Sequence, residues 1–148
     1  MSTAPPIRHP LPQRQNFTRF ISITSRWMDN DVYGHINNVV YYAFFDTAVN
    51  QILMEAGLLD PGKSAVIGLV VETQCTYHQP LTFPDPIEVG VRITRIGRSS
   101  VRYALGIFRQ AEIDCAAHGY FVHVYVDAHT RRPTTIPPDT LRFFEKLR

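Results

Sequence analysis

The sequence has little cysteine, little net charge and no long apolar run, and each shortage argues against a class of protein. Its two cysteines lie far apart in strand-like runs, which favours free thiols over a disulfide. The 15 Lys and Arg residues against 13 Asp and Glu residues give a net charge of +2, too little to predict a nucleic-acid partner. No run of about 18 apolar residues could span a membrane, and the N-terminus lacks the apolar segment of a signal peptide. We therefore expect a cytoplasmic protein with no nucleic-acid or membrane partner.

The composition predicts one domain after a short arm. The chain has 148 residues, 45% of them apolar, which suits the core of one domain and leaves little room for a second. Residues 1–15 contain four prolines and few large apolar side chains, so we expect a flexible arm there. Residues 16–148 contain no repeat and no linker, and we expect them to form a single domain.

The pattern of apolar residues predicts five strands and two helices. The strand-like runs are residues 17–26, 65–77, 87–96, 101–110 and 116–128. Residues 38–56 predict a helix about 28 Å long, capped by Asn37 or Asn38 and followed by Gly57 in the left-handed conformation. This helix is apolar on most of its circumference and must be enveloped, which predicts an α+β fold with a curled antiparallel sheet. Residues 140–147 predict a short amphipathic helix.

The segment just before the long helix has the composition of an active site. Residues 29–38 bring together two carboxylates, an imidazole and side-chain amides. The first turn of a helix offers unpaired backbone N–H groups and the positive end of the helix dipole. An oxyanion or a polarised carbonyl group could therefore sit there beside Asp31.

This segment resembles a known family. The pattern is Asp29-x-Asp31-x-x-Gly34-His35-x-Asn37-Asn38-x-x-Tyr41. It resembles the 4-hydroxybenzoyl-CoA thioesterase family of hotdog-fold acyl-CoA thioesterases, over nearly the whole chain after Gln15. The resemblance implies a curved antiparallel sheet of five or six strands around one long central helix. It also implies an acyl-CoA substrate bound between the protomers of a homodimer or of a tetramer (a dimer of dimers). It implies no metal and no other cofactor, because coenzyme A is part of the substrate.

The resemblance assigns the main catalytic roles to two positions. Asp31 matches the family's catalytic carboxylate, which acts as nucleophile on the thioester carbon or as base for water. Asn38 matches the position whose backbone N–H polarises the thioester oxygen. Both roles agree with the chemistry, because thioester hydrolysis needs an attacking oxygen and a donor facing the developing oxyanion.

The remaining residues of the segment could serve either the chemistry or the structure of the loop. His35 either orients the catalytic carboxylate or a water, or bonds the backbone of the turn. Gly34 and Asn37 are candidates for substrate binding, although Asn37 also suits a helix cap. Tyr41 either lines the acyl pocket or belongs to the core. Asp29 is expected to cap backbone groups in the turn.

Two other functions stay open at this point. Hotdog enoyl-CoA hydratases also pair Asp with His, usually as Asp-x4-His with Asn-Pro between, whereas this chain has Asp31-x3-His35. A non-catalytic protein that binds acyl-CoA or acyl carrier protein could use the same groove. Continuous release of free thiol from an acyl-CoA would distinguish a thioesterase from both.

Further motifs predict less. Residues 57–64 match the Walker A pattern but follow a helix and enter a strand, which is the reverse of a phosphate-binding loop. Asp46 could carry the catalytic carboxylate from within the helix, but we expect it to be buried and hydrogen-bonded.

Two groups of residues could bind ligands. Strand alternation separates His118 from His123 and His129, which predicts poor convergence and no metal site. We expect these histidines to be exposed or to have their hydrogen bonds satisfied. Coenzyme A phosphates could meet arginines near two turns, and the sequence does not choose among them. These are Arg95, Arg98, Arg102, Arg131 and Arg132.

Overall fold

The computed structural model describes residues 10–148 as one antiparallel sheet that carries a long helix on one face. The strands are β1 (Arg19–Thr24), β2 (Val66–Tyr77), β3 (Pro86–Ile96), β4 (Ser100–Arg109) and β5 (Ala117–Asp127). The helices are α1 (Val40–Glu55) and α2 (Pro138–Lys146). The five strands lie in the order β1-β3-β4-β5-β2, and every neighbouring pair is antiparallel. This confirms the predicted α+β class, and no helix of the described residues is long and apolar enough to cross a membrane.

Strand β2 forms one edge of the sheet and pairs only with β5 on its other side. It has 12 residues, and its register against β5 shifts between Val70 and Glu72, which marks a β-bulge. Further along, Gly119 of β5 faces Cys75, and a Cβ at Gly119 would lie 1.8 Å from the Gln74 carbonyl oxygen. Only glycine therefore allows this close approach of the two strands.

Helix α1 packs one face against the sheet and leaves the other uncovered in this chain. Its buried residues are Tyr41, Phe44, Phe45, Ala48, Val49, Ile52 and Leu53. The helix has 16 residues, so it is about 24 Å long and shorter than predicted. It begins at Val40, and the predicted cap at Asn37 or Asn38 was wrong, because both residues lie in the turn before the helix and Val39 takes the N-cap position without a side-chain hydrogen bond. Gly57 follows the helix with φ +72°, as predicted.

The exposed face of α1 is wider than the sequence predicted, and Asp46 lies on it. We expected a buried Asp46, but its side chain is exposed and accepts a hydrogen bond from the Asn50 side chain at 3.0 Å. The prediction was wrong because the sheet covers one side of the helix only. The uncovered side also exposes Met54, which is a large apolar residue.

The segment before β1 packs across the outer face of the sheet. Phe17, predicted to lie within the first strand, precedes β1, and its ring lies over Gly90 and Gly106 of two paired strands. Gln13, within the predicted arm, pairs with Asp114 near the start of β5. Residues 10–15 thus contact the domain, while residues 1–9 of the predicted arm lie outside the described residues.

Helix α2 covers the far end of the core. Phe144 is fully buried and its ring packs on Tyr103 at 5.8 Å between ring centroids. The Leu147 carbonyl accepts a hydrogen bond from the Ile93 N–H, which fastens the C-terminus to β3. The helix begins two residues before the predicted start because Pro138 is well suited to the first helical position.

His123 is a polar residue inside the core. Only 1% of it is exposed, it lies among Tyr103 and Phe121, and its Nδ1 has no hydrogen-bond partner among the described residues. We expected the histidines to be exposed or satisfied, and for His123 this was wrong. Burial lowers the pKa of His123 to about 4, so the ring is neutral at pH 7.

We predict that His123 makes the fold sensitive to mild acid. Its folded pKa of about 4 lies below its ordinary value of 6.5, so below pH 6.5 the unfolded chain takes up the proton first. The free energy of unfolding should therefore fall as the pH drops from 6.5 to 4, with about 3 kcal/mol from this residue. Chemical denaturation of His123→Leu should show a smaller loss across this range. The matched control His129→Gln, at an exposed position, should keep the full loss, and an unchanged slope in His123→Leu would contradict the prediction.

Candidate active site

Asp31 lies at the start of a tight turn between β1 and α1. Its N–H donates to the His35 carbonyl oxygen at 2.9 Å, and its carbonyl oxygen accepts from the Gly34 N–H at 3.1 Å. Gly34 has φ +80°, a conformation that glycine adopts without strain. The residues flanking the turn, Asn30 and Ile36, form a β-bridge. Backbone hydrogen bonds therefore supply most of the contacts that fix the turn.

A second segment, residues 81–83, holds this turn in place. The Ile36 N–H donates to the Leu81 carbonyl oxygen at 2.7 Å, and the Thr82 hydroxyl donates to the Gly34 carbonyl oxygen at 2.8 Å. The Asn30 side chain accepts from the Phe83 N–H at 3.0 Å. Sequence reasoning missed Asn30 and Thr82, because their partners lie about fifty residues apart along the chain.

Asp29 serves the structure of the loop. It is 2% exposed, and its carboxylate accepts hydrogen bonds from the Arg26 backbone N–H at 2.8 Å and from the Arg26 guanidinium at 2.9 and 3.1 Å. Its carbonyl oxygen accepts from the Asn37 N–H at 2.9 Å. As the sequence predicted, Asp29 caps the turn, and its occupied oxygens leave Asp31 as the carboxylate free for chemistry.

The Asp31 carboxylate is half-buried and only partly engaged. One oxygen, Oδ1, accepts a hydrogen bond from the Tyr33 N–H at 2.9 Å. The other oxygen accepts none from the described residues. The His35 ring makes no hydrogen bond to this carboxylate within residues 10–148, and the contact between the two residues runs through the His35 carbonyl oxygen.

The peptide between Asn38 and Val39 is clamped from both sides. The Val39 N–H donates to the Asn37 side-chain oxygen at 3.0 Å, and the Asn38 carbonyl oxygen accepts from the Tyr77 hydroxyl at 2.7 Å. The Asn38 N–H itself has no acceptor among the described residues. Asn37 thus acts as a cap for the turn, and Asn38 presents a free donor just before α1.

These groups share one cleft of about 530 Å³. It is lined by Asp31, Tyr33, His35, Ile36, Asn38, Tyr41, Tyr77, His78, Gln79 and Pro80. Of the residues predicted from the sequence, the cleft brings together the carboxylate, the donor position, His35 and Tyr41. Gly34 and Asn37 do not line it, and they shape the turn instead. Tyr77 and His78, at the end of β2, were not predicted.

The two cleft tyrosines are neutral at ordinary pH. Burial raises the pKa of Tyr41 and the pKa of Tyr77 above the usual value for tyrosine. Their rings meet edge to face, with centroids 4.9 Å apart. A neutral Tyr77 keeps its proton, so its hydroxyl can donate to Asn38.

Comparison with known proteins identifies the family of the chain. The family model described as the thioesterase-like superfamily matches residues 25–144. The chain belongs to the thioesterase-like superfamily. This confirms the predicted hotdog fold and the predicted class, thioester hydrolase.

Solved structures share the fold of this thioesterase-like protein. The PA5185 protein from Pseudomonas aeruginosa strain PAO1 is 47% identical, with a TM-score of 0.92 over 94% of this chain and 97% of that chain. A gentisyl-coenzyme A thioesterase is 21% identical, with a TM-score of 0.74 over 85% of this chain and 99% of that chain, a likeness that shows the fold alone. The YsmA protein of Bacillus subtilis (strain 168) is 22% identical over 88 residues, which span 60% of this chain and 59% of that protein.

A histidine pair lies next to the cleft of this thioesterase-like protein. His78 follows β2 and His118 lies in β5, and their ring nitrogens Nε2 and Nδ1 are 2.7 Å apart. The buried Cys115 lies beside them. Among the described residues His118 is grouped with His78 and Cys115 and not with His123 or His129, as predicted, but no pattern in the sequence indicated that His118 would meet His78. Register explains the meeting, because Thr76 lies opposite His118 and His78 is two residues further on.

The other predicted groups lie outside the cleft. The Walker-like loop closes on itself, because the Asp60 carbonyl oxygen accepts from the N–H groups of Lys63 and Ser64 and leaves them unable to hold a phosphate. Arg95 and Arg102 line a cavity of about 850 Å³ on the outer face of the sheet. A further outer cavity of about 730 Å³ lies beneath residues 10–17 and lacks the Asp31 turn.

We predict that replacing Asp29 destabilises the fold and that replacing Asp31 does not. Asp29→Asn removes the charge of a buried carboxylate that pairs with the exposed Arg26 side chain, and it should lower the free energy of unfolding by roughly 1–3 kcal/mol. The matched variant Asp31→Asn loses no ion pair and should change stability by less than about 0.5 kcal/mol. Denaturant titration of both variants measures this difference. Equal destabilisation would show that Asp31 also has a structural role.

Proposed function

We propose that this thioesterase-like protein hydrolyses an acyl-CoA thioester to a free carboxylic acid and coenzyme A. One observation carries the proposal: a carboxylate oxygen and a backbone N–H that have no hydrogen-bond partner among residues 10–148 line the same cleft. The carboxylate belongs to Asp31 and the N–H to Asn38. This pairing supplies the attacking group and the oxyanion donor that acyl transfer from a thioester requires.

The mechanism assigns a separate task to each group. The Asn38 N–H, at the positive end of α1, donates to the thioester carbonyl oxygen and stabilises the charge that develops there. Such a donor typically contributes a factor of ~10²–10³ in rate. Asp31 either attacks the acyl carbon to form an anhydride that water hydrolyses, or removes a proton from the attacking water. The carbon–sulfur bond breaks when the tetrahedral intermediate collapses, which gives the anhydride on the first route and the carboxylic acid on the second. Coenzyme A leaves as a thiolate and takes up a proton from water or, on the second route, from Asp31. No metal or other cofactor is needed for these steps.

The cleft favours an acyl group with substantial apolar surface. Tyr41 and Ile36 line the cleft and are buried, and Tyr77 lines it with an exposed side chain. Aromatic walls of this kind suit either an aromatic ring or an alkyl chain. Because a structural neighbour is a gentisyl-coenzyme A thioesterase, gentisyl-CoA belongs in the substrate panel beside short and long aliphatic acyl-CoAs.

The exposed apolar residues around the cleft support a homodimer or a dimer of dimers. Val32, in the turn that carries Asp31, is 95% exposed, and Val71, at the bulge of β2, is 61% exposed. A long apolar edge strand is open to pairing with another chain, and soluble proteins rarely leave such an edge uncovered. We infer that a second copy covers this edge and completes the groove for coenzyme A. The cytoplasmic location expected from the sequence stays a prediction.

Replacement of Asp31 gives the sharpest test of catalysis. We expect Asp31→Asn to lower kcat by ~10³ or more while folding and acyl-CoA binding persist, because the shape stays and the nucleophile or base is lost. Release of free thiol from an acyl-CoA panel measures kcat, and it also distinguishes hydrolysis from hydration or simple binding. His35→Ala should lose less activity, since the ring makes no contact with the carboxylate.

Asp46→Asn is the matched control for that experiment. It removes the same charge from an exposed helix position, and we expect nearly unchanged turnover. The proposed mechanism fails if Asp31→Asn keeps more than about a tenth of wild-type kcat. It also fails if Asp46→Asn is the inactive variant, because the carboxylate would then act from within α1.

The β2 edge gives a test of assembly. Val71→Lys places a charge on this edge, and we expect light scattering to show monomers with much reduced turnover. The control Ile113→Lys changes an apolar residue of similar exposure, 66%, in the loop before β5 and should keep the wild-type assembly. A wild-type protein that is monomeric and fully active at the assay concentration would rule out the inferred dimer.

A further inference from the structure

Three side chains that the proposed hydrolysis does not use meet beside the cleft. They are His78, just after β2, Cys115, in the loop before β5, and His118, in β5 itself. One ligand atom from each lies within 4.8 Å of the other two. Two imidazoles and a thiol in one place form a set that zinc-class ions prefer over harder cations.

The backbone places these groups independently of one another. The His78 N–H donates to the Ala116 carbonyl oxygen at 2.8 Å, which fixes the end of β2 against the start of β5. The Cys115 N–H faces the Pro12 carbonyl oxygen at 3.3 Å, and the cysteine is fully buried. The three ligands therefore come from a folded framework and not from a mobile loop.

The histidine rings lie edge to edge. Their planes differ by only 10° and their centroids are 4.9 Å apart, close to the 2.7 Å between the nitrogens plus the two ring radii. The ring nitrogen of one histidine thus points at the ring nitrogen of the other within a common plane, with a shared proton between them. A metal ion that replaces this proton meets a lone pair from each ring after the rings turn toward it, because nitrogens that face each other in line must bend to the tetrahedral angle.

The distances fit an ion after small movements. Zinc bonds of about 2.0–2.1 Å to nitrogen and 2.3 Å to sulfur, in a tetrahedron, separate the nitrogens by roughly 3.3 Å and nitrogen from sulfur by roughly 3.6 Å. The two ring nitrogens, now 2.7 Å apart, must therefore separate by about half an ångström. The ligand atoms that lie up to 4.8 Å apart must approach each other by about 1 Å. Side-chain rotations cover such changes without moving the strands.

We propose that His78, Cys115 and His118 form a binding site for a zinc-class divalent ion, separate from Asp31. When the ion binds, the thiol loses its proton and the shared proton moves to the outer nitrogen of the ring that donated it, so the site holds a thiolate and two neutral imidazoles. The fourth tetrahedral position is left for water or a small ligand. The ion ties the end of β2 to β5 and to the loop before it. His78 also lines the cleft, so the ion stiffens one of its walls.

Cobalt binding tests this site directly. The full chain, stripped of metals by a chelator and kept reduced, is titrated with Co²⁺, and we expect one ion per chain with a thiolate-to-cobalt charge-transfer band. Zn²⁺ should displace the cobalt. It should also raise the Tm by roughly 5 °C or more at a free concentration about 100-fold above Kd. These measurements do not depend on thioester hydrolysis, so they test the metal site independently of the proposed function.

Matched variants decide which residues hold the ion. Cys115→Ser should remove the charge-transfer band, and His118→Gln should weaken Zn²⁺ binding at least tenfold by competition. The controls Cys75→Ser and His129→Gln change the other cysteine and an exposed histidine and should bind as the wild type does. Absence of the band in the wild-type protein overturns the proposal. So does a band that survives in Cys115→Ser or disappears in Cys75→Ser. If Cys115→Ser does not fold, unchanged Zn²⁺ affinity in His118→Gln overturns it equally.

Discussion

The burial of one face of α1 against the sheet is the constraint on which the rest of the structure depends. Phe45 and Ala48 are completely buried there, and the ring of Phe45 packs on Phe121 of β5. Close packing of this kind leaves a helix little freedom to slide or rotate. The first turn of α1 is therefore fixed relative to β2 and β5, and so is the direction in which the Asn38 N–H points.

The loop before α1 divides its polar groups between structure and chemistry. Three side chains accept hydrogen bonds from backbone N–H groups and thereby fix the loop; they belong to Asp29, Asn30 and Asn37. Among the described residues, one Asp31 oxygen and the Asn38 N–H have no hydrogen-bond partner. Asp31 is half-buried and Asn38 is exposed, so both groups are open to water or to a ligand. The neighbouring side chains fix the backbone around the two groups.

Local patterns predicted the class of fold and the position of the loop that carries the candidate site residues. The alternation in β2 to β5 and the apolar run of α1 were sufficient for an α+β sheet around a helix, with strand ends within about one residue of those observed. The sequence could not show that α1 is covered on one face only, so Asp46 was wrongly expected to be buried. It also could not show contacts made by sheet register. His78 meets His118, and Tyr77 meets Asn38, because β2 and β5 are aligned by hydrogen bonds between residues about forty positions apart.

The link between Tyr77 and Asn38 has a mechanical meaning. Tyr77 is the last residue of β2, and its hydroxyl donates to the Asn38 carbonyl oxygen at 2.7 Å. That carbonyl belongs to the peptide between Asn38 and Val39, whereas the Asn38 N–H belongs to the peptide before it. The carbonyl oxygen of this preceding peptide, from Asn37, accepts from the Val40 N–H at 2.9 Å. The backbone is thus anchored on both sides of the Asn38 N–H, once by the first turn of α1 and once by a strand end that lies 39 positions further along the chain.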